Sequence, residues 1–240
     1  MIGIIFDCDG VLVDSENSHF LSWQKALEKY GISWDKNSHF SFCGYPGISI
    51  AQKFCQRFNI NSPETLLEEK RSFFKEFQSQ GFAPMPYTIN LLRQLSEKKN
   101  LLDIKLGVAS GARKKEILLN LKQHDLTAMF DVIVSGYDDL AEYSDLEGTN
   151  KPKPYIFLHT AKLLGLDPFQ CIVIEDSGPG VLAANRAGMI TFAIPNEFSC
   201  NHDFSPATYC LFPNAEIDFE SFYQKIKSAM EMRNKERLDV

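Results

Sequence analysis

The sequence predicts an α/β fold, with a doubly wound, mostly parallel, Rossmann-like sheet and an inserted helical cap domain. Two observations predict the sheet. Short apolar runs rich in β-branched residues recur along the chain, and segments with helical periodicity lie between them. A third observation predicts the insertion, because residues 16–84 show helical periodicity but no convincing strand. A chain of 240 residues is long enough for a full core and one large insertion.

The individual elements follow from these patterns. Strands are predicted at residues 2–6, 104–109, 130–135, 171–175 and 190–194. Helices are predicted at residues 88–98, 112–123, 154–165 and 178–188, with a final helix at 217–233. Glycines divide the insertion into helical segments, and "APMPYT" (83–88) marks its return. We therefore predict an α/β core of residues 1–15 and 85–240 and a helical cap of residues 16–84.

Composition excludes several classes of protein. Hydrophobic residues make up 44% of the chain and charged residues 23%, as in ordinary globular proteins. A formal net charge of -6 argues against a broad basic surface for nucleic acid. The six cysteines include no CxxC pair, which predicts reduced, mostly buried thiols. The N-terminus has neither a basic leader nor an apolar run of membrane-spanning length, so we expect a cytoplasmic protein.

Polar residues follow the apolar runs where a parallel sheet binds its ligands, at the carboxyl ends of the strands. These residues are Asp7, Asp9, Ser110, Gly111, Glu175 and Asp176. Lys151 precedes a predicted helix. Carboxylates crowded at one sheet edge repel one another unless a cation lies between them. Because hard oxygen ligands favour Mg²⁺, the pattern predicts a magnesium site that also receives a phosphoryl group.

Four stretches carry a resemblance to a known family. In order, they are "DCDGVLVDS" (7–15), "VASG" (108–111), "KPKP" (151–154) and "VIEDSGPGVLAA" (173–184). Together they resemble the four motifs of the haloacid dehalogenase superfamily. The similarity is to its phosphatase and β-phosphoglucomutase-like branch, which has a helical cap after the first motif. The resemblance covers roughly the whole chain and implies an enzyme that acts on phosphomonoesters.

The resemblance implies a role for each residue of the motifs. Asp7 is expected to be the nucleophile that takes the phosphoryl group as an aspartyl phosphate. Asp9 is expected to act first as the general acid for the leaving group and then as the base for water. Ser110, Gly111 and Lys151 are expected to bind the phosphoryl group.

The same resemblance implies a set of metal ligands. Mg²⁺ is expected to bind the Asp7 carboxylate, the Asp9 backbone carbonyl and Asp176. Glu175 is expected to bind through water or to orient another ligand.

Structural interpretations remain open for these residues. Aspartates after a strand are common in turns and helix caps, Ser110 could begin a turn, and Lys151 could be a solvated loop lysine. We expect Asp14 to cap the first cap helix or to form its hinge. The stretch "YDDLAEYSDLEGTN" (137–150) is longer and more acidic than the corresponding family loop, and Tyr155 replaces an acidic residue. We interpret Asp138, Asp139 and Asp145 as a solvated loop.

The cap is expected to set specificity. His19 lies near the predicted hinge, where similar proteins often place a histidine, and Tyr45 lies in the cap loop "FCGYPGIS" (42–49). Both are predicted to bind substrate, and for His19 a structural role in the helix remains the alternative. Helically spaced aromatic residues are predicted to form the cap core; they are Trp23, Phe54, Phe73, Phe74 and Phe77.

Three functional hypotheses remain. The first is a Mg²⁺-dependent phosphatase for a small phosphorylated metabolite such as a sugar or polyol phosphate, acting as a monomer or weak homo-oligomer. The second is a phosphomutase. Similar mutases carry a cap arginine where this chain has Gly47, so Lys70 or Arg71 would have to replace it. The third is a non-catalytic binding protein on the same fold.

Overall fold

The structure is a computed structural model that describes residues 1–211 and 219–238. Its strands are β1 (Ile2–Phe6), β2 (Val13–Asp14), β3 (Ala83–Pro84), β4 (Ile104–Ser110), β5 (Val132–Ser135), β6 (Cys171–Glu175), β7 (Ile190–Ala193) and β8 (Tyr209–Cys210). Its α-helices are α1 (Glu16–Glu28), α2 (Lys36–His39), α3 (Gly47–Phe58), α4 (Pro63–Gln80), α5 (Pro86–Leu102), α6 (Lys114–Lys122), α7 (Tyr155–Leu164), α8 (Gly178–Arg186) and α9 (Phe219–Leu238).

A parallel sheet forms the centre of the molecule. Within the described residues it has six strands in the order β5-β4-β1-β6-β7-β8. The predicted doubly wound sheet is confirmed, although the short edge strand β8 was not predicted. Strand β1 lies between β4 and β6, so the carboxyl ends of these three strands are neighbours. This order brings together the loops that carry the predicted site residues.

Both faces of the sheet are buried, which explains its continuous apolar strands. On β1, Ile4 and Phe6 join a hydrophobic cluster with residues of α5, α6 and α9, which we call the sheet-side cluster. Ile5, which points the other way, joins a second cluster with residues of α7 and α8. Each fully buried isoleucine contributes about 1.5–3 kcal/mol. A strand buried on both faces therefore has no polar position until it ends at Asp7.

Helices α1 to α4 form an insert between β2 and β3. They share a separate hydrophobic cluster that includes Trp23, Trp34 and Phe54, which we call the insert cluster. Phe73 packs against this cluster as predicted, but Phe74 and Phe77 pack with the sheet-side cluster instead. The chain leaves and re-enters the core through the antiparallel β2–β3 pair, which was not predicted. The exact boundaries of the predicted domains stay a prediction.

The predicted final helix packs on the core, with Phe222 and Ile226 in the sheet-side cluster. Of the predicted helix at 217–233, residues 217 and 218 lie outside the described residues. None of the described helices combines the length and apolar character that a membrane span requires.

All six cysteines are free thiols, as predicted. The expectation that most of them are buried holds for only half, because Cys55 is half-buried and Cys200 and Cys210 are exposed.

Candidate active site

Three carboxylates meet at the carboxyl ends of β1 and β6. Asp7 follows β1, Glu175 is the last residue of β6, and Asp176 comes next. The two strands are in register here, since the Asp7 backbone N–H donates to the Ile174 carbonyl at 3.0 Å. One oxygen from each carboxylate lies within 4.8 Å of the other two. All three side chains are buried.

Lys151 is the cation next to these carboxylates. Its Nζ lies 3.0 Å from Asp7 Oδ1 and 2.6 Å from Glu175 Oε1. Burial lowers the pKa of the Lys151 ammonium, but the charges of Asp7 and Glu175 outweigh it and raise the pKa above its ordinary value. Lys151 is therefore charged and bridges two carboxylates.

Glu175 is fixed by the first turn of α8. Its Oε2 accepts hydrogen bonds from the Ser177 backbone N–H at 2.7 Å and from Ser177 Oγ at 2.9 Å. A Cβ atom at Gly180 would lie 1.7 Å from Glu175 Oε1. The helix can therefore approach the carboxylate only because position 180 has no side chain.

Asp176 is held by a residue that the sequence did not single out. Asn196 Nδ2 donates to Asp176 Oδ2 at 2.6 Å. Gly10 turns beneath the same oxygen with a φ of +75°, and a Cβ there would lie 2.2 Å from Asp176 Oδ2. Burial and the neighbouring carboxylates, first Glu175, raise the pKa of Asp176 well above its ordinary value.

The donor set fits a metal ion. Burial raises the pKa of Asp7 to about 8, even though Lys151 opposes the shift. Asp7 Oδ1 is also buried without a hydrogen-bond donor in good geometry. Three carboxyl groups beside one ammonium would carry excess negative charge once ionised, and a divalent cation would offset that charge. The buried group of Asp7, Glu175 and Asp176 could therefore hold such an ion.

Asp9 has different partners from the other carboxylates. Ser15 Oγ donates to Asp9 Oδ1 at 2.6 Å, and Ser110 Oγ donates to Asp9 Oδ2 at 3.2 Å. Ser110 in turn accepts a hydrogen bond from the Ala112 backbone N–H at 3.2 Å. The Asp9 side chain thus lies beside Ser110, outside the three-carboxylate group. Sequence reasoning missed Ser15, which precedes α1 and resembles an ordinary helix cap.

A cavity of about 200 Å³ lies between the strand ends and the insert. Its walls include most of the residues predicted from sequence, namely Asp7, Asp9, His19, Tyr45, Ser110, Gly111, Lys151 and Asp176. Glu175 lies beneath them and is fully buried. The structure thus brings the predicted residues to one place, while their individual roles stay predictions.

A family model for haloacid dehalogenase-like hydrolases matches residues 4–194. The chain belongs to this hydrolase family. The match begins within β1 and covers β4, β5, β6 and β7 together with the insert.

Other members of the haloacid dehalogenase-like family resemble this chain over most of its length. The fructose-1-phosphate phosphatase YqaB of Escherichia coli is 29% identical over 188 residues, which cover 78% of this chain and 93% of that protein. A phosphorylated carbohydrates phosphatase of Thermotoga maritima is 31% identical over 194 residues, which cover 79% of this chain and 82% of that protein. The crystal structure of a β-phosphoglucomutase from Clostridium difficile superimposes with a TM-score of 0.77 at 25% identity, covering 96% and 99%.

The insert contributes a buried cation to the cavity of this hydrolase. Lys70 Nζ donates to His19 Nδ1 at 2.6 Å, and the His19 ring stacks on Phe74 with a centroid distance of 4.1 Å. Burial lowers the pKa of Lys70 to about 8, and burial and then Lys70 lower that of His19 well below its usual range. Tyr45 is 40% exposed, and Lys53 Nζ lies 4.9 Å from its ring centroid.

Glu16 also lines the cavity and was not among the predicted site residues. Burial, followed by the charge of Asp9, raises the pKa of Glu16 to about 7. An acidic residue in the first turn of a helix is common for electrostatic reasons, so its type gives no signal of a site. Asp14 is exposed on β2, and Ser15 occupies the N-cap of α1. Asp14 therefore does not cap the helix but lies in the β2–β3 pair, where the chain enters the insert, and its role as a hinge stays a prediction.

The acidic side chains of the loop after β5 accept hydrogen bonds from neighbouring helices. Asp138 accepts a hydrogen bond from the Lys114 backbone N–H at 2.7 Å. Asp139 accepts one from Lys114 Nζ at 2.6 Å. Asp145 accepts one from the Tyr155 hydroxyl at 3.0 Å. These side chains hold the loop against α6 and α7. Asp138 is exposed and Asp139 and Asp145 are half-buried, so the loop is solvated as predicted at Asp138 and only partly so at the other two.

Proposed function

We propose that this protein is a Mg²⁺-dependent phosphatase that hydrolyses a small phosphorylated metabolite, a sugar or polyol phosphate, through an aspartyl-phosphate intermediate. The observation that carries the proposal is the buried group of Asp7, Glu175 and Asp176, joined by Lys151 at the base of a small cavity. Relatives named as phosphatases of fructose 1-phosphate and of phosphorylated carbohydrates support the substrate class.

The metal would be held by the Asp7 and Asp176 carboxylates and the Asp9 backbone carbonyl. Glu175 would keep Lys151 in place and orient the site from below. Bound Mg²⁺ supplies positive charge that offsets the charge of the phosphoryl oxygens. The excess of carboxylates over ammonium groups supports this assignment.

The chemistry assigned to the side chains has two steps. In the first, an Asp7 oxygen attacks phosphorus, the bond between phosphorus and the ester oxygen breaks, and Asp9 donates a proton to that oxygen. In the second, Asp9 accepts a proton from water as the water attacks phosphorus, which releases phosphate and restores Asp7. Ser110 and Lys151 would hold the phosphoryl oxygens throughout. Gly111 would leave space for the phosphoryl group, since no atom lies within 4 Å of a Cβ placed there.

The insert would bind the leaving group and exclude water. His19 and Tyr45 are assigned contacts with the organic part of the substrate, because both line the cavity on the side opposite the strand ends. A closed cavity strengthens the electrostatic interactions of Lys151 with the phosphoryl group.

The first test is release of inorganic phosphate from a panel of sugar and polyol phosphates, with Mg²⁺ or with EDTA. We expect turnover with Mg²⁺ only, and none from the Asp7→Asn variant. Asp14→Asn is the matched control, because Asp14 is an exposed aspartate in the same motif. Absence of metal-dependent release from every ester would contradict the proposal.

A phosphomutase is the second candidate. The buried Lys70 ammonium in the cavity favours it, because a second phosphate on the substrate could bind there. Gly47 stands where similar mutases carry an arginine, which weakens this candidate. The two activities are distinguished by adding a sugar phosphate with a bisphosphorylated primer. A mutase would isomerise the sugar phosphate without net release of phosphate.

A further inference from the structure

Residues 195–202, between β7 and β8, contact both the carboxylate group and the helical insert; we call them the 195–202 segment. We propose that Asn196 is a positioning residue for Asp176, and that docking of Phe198 into the insert holds Asn196 in place. Closure of the insert and binding of the metal would then favour each other. The inference rests on the proposed function for the identity of the metal, but its test does not require turnover.

The first contact is with the site. Asn196 Nδ2 donates to Asp176 Oδ2 at 2.6 Å, which leaves Oδ1 for a bond to a cation. The Ile194 backbone N–H donates to the Glu175 carbonyl at 2.7 Å, immediately before the segment begins. The start of the segment is therefore fixed to the loop that carries two of the three carboxylates.

The second feature is the turn that Asn196 stabilises. Asn196 Oδ1 accepts a hydrogen bond from the Phe198 backbone N–H at 2.8 Å. The Asn196 backbone N–H donates to Ser199 Oγ at 3.1 Å, and Ser199 itself is buried. One amide group therefore binds Asp176 through its nitrogen and the turn through its oxygen. A rotation of this amide would break both bonds together.

The third feature is the contact of this turn with the insert. Phe198 is 4% exposed and belongs to the hydrophobic cluster of the insert, together with both tryptophans of the chain. Its ring meets the Phe40 ring edge-on at a centroid distance of 5.7 Å. Lys36 Nζ lies 4.5 Å from the Phe198 centroid and 2.9 Å from both carboxylate oxygens of Glu197.

His202 adds a further connection. Its Nδ1 accepts a hydrogen bond from the Gly178 backbone N–H at 3.1 Å. Its Nε2 donates to the Phe40 carbonyl at 3.0 Å. The same imidazole thus joins the N-terminus of α8 to the insert. Movement of the insert away from the core would break these contacts and withdraw Phe198 from its cluster.

Energetic coupling between two sites is reciprocal. If the docked insert orients Asp176 through Phe198 and Asn196, the docked state binds Mg²⁺ more tightly than the open state. Bound Mg²⁺ must then stabilise the docked state by the same free energy. The effect of docking on Mg²⁺ affinity can be measured by titration. The effect of Mg²⁺ on docking can be measured by fluorescence, because Trp23 and Trp34 are the two tryptophans of the chain and both lie in the insert cluster.

The experiment measures Mg²⁺ binding by titration calorimetry without substrate. Asn196→Ala is expected to weaken Mg²⁺ binding about tenfold, as is typical when the partner of a metal ligand is lost. Phe198→Ala, which does not contact the carboxylates, is expected to weaken it about fivefold. The double variant should bind about as weakly as Asn196→Ala alone, because either substitution interrupts the same connection.

The reciprocal measurement is acrylamide quenching of tryptophan fluorescence. Mg²⁺ is expected to reduce quenching in the wild type but not in Asn196→Ala. Phe58→Ala is the matched control, since its ring packs on Trp34 and Phe54 of the same cluster. This control should bind Mg²⁺ like the wild type. If Phe198→Ala does not fold, Phe198→Leu should weaken binding in the same direction by a smaller factor.

Unchanged Mg²⁺ affinity in a folded Phe198 variant would overturn the inference, as would two independent, multiplying losses in the double variant. Phosphate release is measured separately on the same proteins. Coupling without phosphatase activity would leave this inference standing and contradict the proposed function. Phosphatase activity together with unchanged Mg²⁺ affinity in the variants would support the proposed function and contradict this inference.

Discussion

The Nζ atom of Lys151 lies 2.6 Å from Glu175 Oε1, and both side chains are buried. Removing one member of a buried ion pair leaves the other charge without compensation, at a cost of about 3 kcal/mol. We therefore expect Lys151→Ala to lower the free energy of unfolding by about this amount. We also expect phosphate release to fall by about 100-fold or more, because the proposed role of Lys151 is to hold the phosphoryl oxygens. Urea unfolding and steady-state kinetics measure the two effects.

Lys153→Ala is the matched control for this substitution. Lys153 lies two residues further along, pairs with Glu147 at 2.7 Å, and is partly exposed. Surface ion pairs contribute about 1 kcal/mol or less, so we expect a small loss of stability and unchanged turnover. Equal losses in the two variants would contradict a special role for Lys151.

Gly180→Ala tests the close approach of α8 to Glu175. In an ordinary helix interior, glycine to alanine stabilises by roughly 0.5–1 kcal/mol. Here the new methyl carbon would lie 1.7 Å from Glu175 Oε1, so the helix or the carboxylate must move. We expect a loss of about 1–3 kcal/mol in the free energy of unfolding, together with reduced activity. Chemical denaturation shows whether the substitution lowers or raises the free energy of unfolding.

Gly111→Ala serves as the stability control for this prediction. No atom lies within 4 Å of a Cβ placed at Gly111, so its unfolding free energy should change little. A Gly180→Ala variant as stable as Gly111→Ala would mean that Glu175 moves away without cost.

The sheet and most of the site could be predicted because their signals are local in sequence. Strands buried on both faces must be apolar throughout, so β1 and β6 are recognisable and their ends identify Asp7 and Glu175. Lys151 was predicted from the order of the motifs, but its two ion pairs depend on tertiary structure.

The remaining features depend on contacts between distant segments. Asn196 follows Asp176 by a whole helix and strand, and a single asparagine after a strand is typical of a turn. Phe74 has the helical spacing of a cap-core residue, yet it packs on the sheet side, because one helix can bury two faces. The β2–β3 pair is too short for periodicity to reveal.

In the absence of a metal ion, Asp7 should make the stability of the protein depend on pH. Burial raises the pKa of Asp7 to about 8 from its ordinary 3.8, so the folded, metal-free protein holds a proton that the unfolded chain releases. The contribution of Asp7 to the free energy of unfolding is fully present below pH 4 and is lost as the pH rises through about 8. In EDTA, we expect Asp7→Asn to exceed the wild type in unfolding free energy by about 2 kcal/mol or more at pH 8.

Thermal and urea unfolding of the two proteins between pH 5 and 8 test this prediction. Adding Mg²⁺ should stabilise the wild type and narrow the difference, since the cation offsets the charge that the variant lacks. A difference that does not grow with pH would contradict the raised pKa of Asp7.

His39 should make stability fall in acid. It is 2% exposed, and burial, followed by the charge of Lys70, lowers its pKa to about 4. The folded protein therefore holds neutral His39, whereas the unfolded chain binds a proton below pH 6.5. This contribution is present above pH 6.5 and is lost as the pH falls through about 4.

The difference between wild type and His39→Gln isolates this residue from the carboxylates, whose raised pKa values act in the opposite direction. Between pH 7 and pH 4.5 we expect the wild type to lose about 2 kcal/mol more than the variant. Trp34 Nε1 lies 3.4 Å from His39 Nδ1, so tryptophan fluorescence should report the same transition during urea unfolding. Parallel pH profiles for the two proteins would contradict the lowered pKa of His39.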